Sequence, residues 1–184
     1  VEVRPADAAA SQWDCTLENG AVREGGAVRL GLRMAGGLGE AAAARVVAGR
    51  PYASVADLAQ RAGLNRKDLK CLAAAGALQS LAGHRRAARW EASGVEKDPP
   101  MKVQIHEKLP KLSPPSEGEE IVADYASLGL TLGRHPLALL RRLLSAKRFS
   151  GSQELLALAH GSTARAAGLV TCRQRPDTAS GVVF

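Results

Sequence analysis

A chain of 184 residues has room for one ordinary domain or two small ones, and its 46% apolar content excludes general disorder. Only 3% is aromatic and the apolar content is mostly Ala, Leu and Val, which favours closely packed helices over a β-sandwich. Cys15, Cys71 and Cys172 are too scattered for a disulfide framework or a zinc site and suggest free thiols in a reducing, cytoplasmic compartment. No long apolar run offers a membrane span and no signal-peptide pattern opens the chain; Val1 and the apolar run at Phe184 read as cuts from something longer.

The formal charge is +7, and its location matters more than its size. Residues 29–91 hold eleven Arg/Lys and four Asp/Glu, whereas the remainder holds fourteen of each. The whole excess therefore sits in one third of the chain, which points to a polyanion and first to nucleic acid. A solvated helical surface is the plain alternative.

In chain order, Thr16-Leu17 and Ala27–Leu32 can pair as strands across a loop containing Asn19-Gly20 and Gly25-Gly26. From Arg33 the pattern becomes helical. Ser54 and Asp57 have the spacing of a capped helix start, Gly63 ends that helix, and Asn65 caps the next. Leu69, Leu72 and Ala73 form one apolar face, Gly76 suits a left-handed cap, and a basic helix follows at 84–92. Five prolines in 93–118 mark an extended linker. Helices are expected near 119–128, 136–146 and 152–160, the last capped by Ser152 with Gly161 beyond its end. Gly168–Arg175 and Gly181–Phe184 read as strands around Pro176-Asp177.

The informative stretch is Met34–Arg50. Gly37-Leu38-Gly39 can make a tight turn between two helices, because glycine accepts positive φ at little steric cost. Leu38 plugs the seam, and Ala43 and Val46 face the first helix. The turn amides and the following helix start then point outward with partial positive charge, an arrangement that holds a phosphate oxygen. Gly-Leu-Gly followed by Ala43, Val46 and Arg50 resembles the helix-hairpin-helix motif of DNA-handling proteins; a ligand-free αα-hairpin is the structural alternative. A dinucleotide-binding loop fits poorly, since Ala42 occupies the third-glycine position and no βαβ unit surrounds it. Arg61–Lys67 resembles a degenerate second hairpin with a basic helix start.

The resemblance widens along the chain. Val3–Asp7, Trp13–Glu18, Val28–Leu32, Gly37–Gly39, Ser54–Leu58, Ala74–Leu78, Gly118–Tyr125, Ser127–Leu130 and Gly133–Leu137 together resemble the C-family bacterial DNA polymerases. The match is to their error-prone, damage-tolerant branch, related to the replicative polymerase III alpha subunit. It implies a mainly α fold with minor β: 1–32 as the end of the fingers region, 33–92 as a tandem helix-hairpin-helix domain, 93–118 as linker, 119–167 as helical connector and 168–184 as the first strands of a truncated OB-fold. It also implies that the polymerase centre and its magnesium lie outside this chain, which carries no catalytic or metal-binding residues of its own.

The reading is a sequence-independent binder of duplex or primer-template DNA within a translesion polymerase of the SOS repair response, nucleoid-associated and without membrane contact. Gly37, Leu38, Gly39 and the amide of Glu40 are the primary contacts, with Arg33, Arg66, Lys67 and Arg85 as electrostatic ones. The alternative is an interaction module that docks a sliding clamp or companion polymerase subunit through 93–160, where Gln104–Leu109 is similar to a clamp-binding peptide. His84, His106, His135 and His160 are too separated for a metal set, and His135-Pro136 reads as a helix entry.

Overall fold

The computed structural model describes residues 1–18, 26–95 and 112–174. The chain divides into two units, Val1–Gly133 and Arg134–Phe184, and among the described residues the extensive core lies in the first. The architecture is mainly α with a small β-sheet, as composition indicated.

The sheet comprises β1 (Val3–Arg4), β2 (Thr16–Glu18) and β3 (Ala27–Arg29) in the order β1-β3-β2. The β2–β3 pairing is the antiparallel one expected, with Leu17 opposite Val28. The parallel partner β1, Val3 opposite Val28, is an addition. Two residues carry too little pattern to be read as a strand. Glu18 ties the three strands together, accepting from Arg4 Nη1 at 2.7 Å and Arg29 Nε at 2.5 Å. The guanidinium of Arg29, then that of Arg4, holds its carboxyl below the usual carboxylate range.

A 3₁₀ turn at Leu32–Met34 leads through the Gly-Leu-Gly segment into α1 (Glu40–Ala48). Then come α2 (Val55–Arg61), α3 (Arg66–Ala74), α4 (Gln79–Ala82), α5 (Arg85–Gly94) and α6 (Glu117–Leu128). The starts of α2 and α3 follow from their caps: Ser54 Oγ accepts from Asp57 N–H at 3.1 Å, and Asn65 Oδ1 from Asp68 N–H at 2.9 Å. Gly76 ends the α3 turn at φ +72°, the left-handed position its sequence context called for.

The core is narrow and small-residued. Leu32, Leu58, Leu69, Leu72 and Leu78 are fully buried, each contributing about 1.5–3 kcal/mol by removal from water. Around them pack Ala43, Ala73, Ala77, Ala88 and Ala92, which let helix backbones approach closely. Arg50, part of the hairpin resemblance, turns inward: Nε donates to Ala8 O at 2.8 Å and Nη2 to Ser11 O. Burial pushes its pKa below the ordinary arginine value. Half-buried, it fastens the N-terminal segment to the helices.

Helix α6 packs on α3 within the first unit, so the stretch 119–167, expected as one connector, divides at Gly133. Ser116 and Glu119 start α6 with a reciprocal capping box, and Gly129 ends it at φ +75°. In the second unit, α7 (Pro136–Ala146) begins at His135, whose Nδ1 accepts from Leu137 N–H at 3.2 Å. His135 is thus a helix entry. Helix α8 spans Ser152–Leu156; its cap position is Gly151, not Ser152, because Glu154 Oε2 accepts the Gly151 N–H at 2.8 Å. Residues 168–174 form no strand, and 175–184, where the OB-fold strands were to continue, lie outside the described residues, as do Asn19-Gly20, Gly25 and Gln104–Leu109. No helix among the described residues is long and apolar enough to cross a membrane.

Candidate nucleic-acid interface

The first hairpin turn is built by short backbone bonds. Ala35 N–H donates to Leu32 O at 3.0 Å, and Leu38 N–H to Ala35 O at 3.1 Å. Gly37 between them stands at φ +85°, a conformation that favours glycine, and a Cβ there would lie a tight 3.2 Å from Cys71 Sγ. Leu38 drops into the core at 7% exposure and anchors the turn. Gly39 differs from its expected role. Its φ of −86° and ψ of 148° suit any residue, and nothing lies within 4 Å of an added Cβ. What its lack of a side chain provides is open space above the start of α1.

That helix start is uncapped: Gly39 supplies no side-chain acceptor. Among the described residues no acceptor meets the Gly37, Gly39, Glu40 or Ala41 amides. N–H groups without a protein acceptor at the positive end of a nine-residue helix favour an anion beside them. The expected upstream helix is only the 3₁₀ turn, because the chain reaches Leu32 directly from β3.

The second turn, Gly63-Leu64-Asn65, uses Gly63 at φ +57°. Arg45 of α1 clasps it, with Nε donating to Ala62 O at 2.8 Å. The helix it starts, α3, carries Arg66, Lys67 and Lys70 on an exposed face. These three line an open groove of about 520 Å³ together with Gly36, Cys71 and Ser127, so the fold brings the first turn beside the cations of the second hairpin. Arg66, Lys67 and Lys70 form no ion pair among the described residues. Burial raises the Cys71 thiol above its ordinary value, with Lys67 opposing, so the groove floor stays neutral.

Several of the other basic residues are occupied within the chain. Arg33 pairs with Asp14 and lies over Trp13, 5.9 Å from the ring centroid. It remains half exposed, though held at the sheet side of the turn. Arg61 pairs with Asp57, Arg86 with Glu119, and Arg29 with Glu18. Arg85, expected to meet DNA, is buried: Nη1 lies 2.7 Å from Glu120 Oε2 and Nη2 bonds Asp124. A side chain 4% exposed contacts nothing outside the protein. Sequence reasoning misses this because both carboxylates follow Arg85 by more than thirty residues, across the proline-rich segment. It also misses Lys70 as an interface residue, although a position one helical turn beyond Arg66 signals the shared face. Among the described residues no group of His, Cys, Asp and Glu could hold a metal ion; His84 caps α5, its Nδ1 accepting from Ala87 N–H at 3.1 Å.

A glycine turn feeding an uncapped helix, beside a basic second hairpin, is a helix-hairpin-helix arrangement, and residues 1–88 match the family described as helix-hairpin-helix motif. The particular lineage is equally plain: the whole chain is homologous to a segment of the error-prone DNA polymerases. It is 50% identical to the error-prone DNA polymerase of Alkalilimnicola ehrlichii over 189 residues, covering 100% of this chain and 18% of the relative. The corresponding polymerases of Pseudomonas syringae pv. tomato and Methylococcus capsulatus are 51% and 45% identical over the full chain, which covers 19% and 20% of them. The chain thus spans about a fifth of the length of the relatives it matches.

Proposed function

We propose that this chain is the duplex-gripping segment of an error-prone DNA polymerase acting in damage-induced translesion synthesis. The observation that carries the reading is that the turn feeding the uncapped amides of Gly39–Ala41 meets the second hairpin at Gly36, which lines one groove with Arg66, Lys67 and Lys70, cations with no ion-pair partner among the described residues. One backbone phosphate accepts from the turn amides, while the three cations neutralise neighbouring phosphates. Amides and flexible cations read no base edges, so binding is independent of sequence. Nucleotide transfer and its magnesium then belong to the rest of the polymerase, and the purified chain is expected to extend no primer.

The test is titration of the chain with duplex DNA at several salt concentrations. Gly39→Val puts a branched side chain in the open space that a phosphate must enter, at no backbone strain. Affinity is expected to fall by roughly 1–3 kcal/mol, the worth of a charge-assisted hydrogen-bonding site, with an unchanged salt slope. A helical Gly39→Val variant that binds like the parent would overturn the reading.

A second role has a specific observation in its favour. Leu140 and Leu143 are exposed on α7, as is Leu156 on α8, within the second unit. They support docking of a sliding clamp or companion polymerase subunit through this unit. Photocrosslinkers at 140 and 143 that capture neither purified partner would remove that role.

A further inference from the structure

Arg85 is the least expected feature of the fold, a guanidinium 4% exposed and held by two carboxylates of one helix. Besides pairing with Glu120 Oε2, its Nη1 donates to Glu120 O at 3.0 Å, while Nη2 bonds Asp124. Its Nε is buried without a partner. Such a cluster is a weak source of net stability, because desolvating the charges offsets their attraction. What it fixes strongly is geometry. Asp124 is held on both sides, one oxygen by Arg85 Nη2 and the other by Thr131 Oγ1 at 2.7 Å.

That setting reaches the hairpin. Ser127, one helical turn beyond Asp124, presents its carbonyl to the Gly36 N–H at 2.8 Å. A Cβ on residue 36 would come within 3.0 Å of the same oxygen, so the close approach needs glycine. Gly36 adjoins Gly37, whose positive φ sets the turn, and Ser127 borders the basic groove. The contact is long-range in sequence, since α5 ends at Gly94 and α6 begins at Glu117.

We infer that Arg85 is a positioning residue for DNA binding. Through Asp124 and Glu120 it seats α6 so that the Ser127 carbonyl pins Gly36 and holds the Gly37–Gly39 turn ready for phosphate. This rests on the DNA-binding reading above. Arg85 never meets DNA; it sets the shape of what does.

The experiment compares the full chain with an isosteric Glu120→Gln/Asp124→Asn variant and the milder Glu120→Gln. Hydrogen exchange is read at the Gly36, Leu69 and Leu72 amides, and duplex titrations are run across salt. With Leu69 and Leu72 as protected as in the parent, Gly36 is expected to exchange about tenfold faster or more in the double variant. DNA affinity is expected to fall about fivefold with the same salt slope, because the phosphate-neutralising cations are untouched. The single variant should show the same two changes, smaller; it carries the test if the double variant loses protection at Leu69. Unchanged Gly36 exchange would show that the cluster does not seat α6. Faster Gly36 exchange with equal or tighter DNA binding would show that α6 does not position the turn. Should the Gly39→Val variant bind DNA like the parent, the phosphate site fails, while Gly36 exchange still reports whether Arg85 seats α6.

Discussion

The two hairpin turns start from nearly the same three residues, Gly37-Leu38-Gly39 and Gly63-Leu64-Asn65, and finish differently. Each has glycine at positive φ and a buried leucine. At the third position Asn65 turns its Oδ1 onto the Asp68 amide and completes its own helix start. Gly39 has nothing to turn, and α1 is left with outward amides. The second turn is self-sufficient and offers side-chain charge; the first is incomplete and offers backbone. One side chain at one position separates a capped helix start from an uncapped one.

The sharpest way to break that contrast is to give the first turn a cap of its own. Gly39→Asp should satisfy an α1 amide from within and place a carboxylate where the phosphate belongs. Duplex affinity is expected to drop more than tenfold, while thermal stability stays level or rises by a few tenths of a kcal/mol. Retained affinity by titration, in a folded variant, would make the open helix start irrelevant.

Removing the charge side is next. In Arg66→Ala/Lys67→Ala/Lys70→Ala, the slope of log affinity against log salt should flatten by about one unit for each phosphate no longer neutralised, so by up to about three. An unaltered slope would relocate the electrostatic grip. Arg85→Met, by comparison, should leave the slope alone, since Arg85 is enclosed by Glu120 and Asp124.

The reciprocal change, Asn65→Ala, should act on stability. It removes the α3 cap and is expected to cost about 1 kcal/mol in denaturant unfolding, with duplex affinity of the folded chain unchanged. Equal losses in both would mean that the second turn is not self-sufficient.

The smallest effect concerns Cys71 on the floor of the groove. Burial holds its pKa above the ordinary thiol value, so at pH 8 less of it is thiolate than of an exposed cysteine. Alkylation at pH 8 should therefore be slower at Cys71 than at exposed Cys172, and the gap should narrow as pH rises through the Cys71 pKa. Peptide mass spectrometry reads both sites together, and equal rates at pH 8 would count against a buried thiol.

Local chemistry carried most of what the sequence disclosed. Ser54 and Asn65 as caps, Gly37 and Gly76 at positive φ, Leu38 as plug, and the bounds of α7 all follow from a few neighbouring residues, and all are present. Arg66 and Lys67 are legible as a basic helix start, but their approach to the first turn is not, since it depends on how α3 packs. The failures share one cause. Counting charge along 29–91 treats every cation alike, whereas Arg29, Arg33, Arg85 and Arg86 have carboxylate partners outside that stretch. A glycine pair in a turn suggests a backbone need at both positions; the dihedrals of Gly39 show that its need is for emptiness.

The alanine-lined seam among the helices has a consequence for how this grip meets its ligand. Ala43, Ala73, Ala88 and Ala92 have no rotamers to exchange, and their neighbours are packed against them. A leucine-rich or methionine-rich interface can mould itself to a partner by flipping side chains. This seam can respond only by moving whole helices. Under the proposed reading, the backbones of α1 and α3 are therefore a stiff frame, and adjustment to the phosphates of a duplex falls to the exposed side chains of Arg66, Lys67 and Lys70.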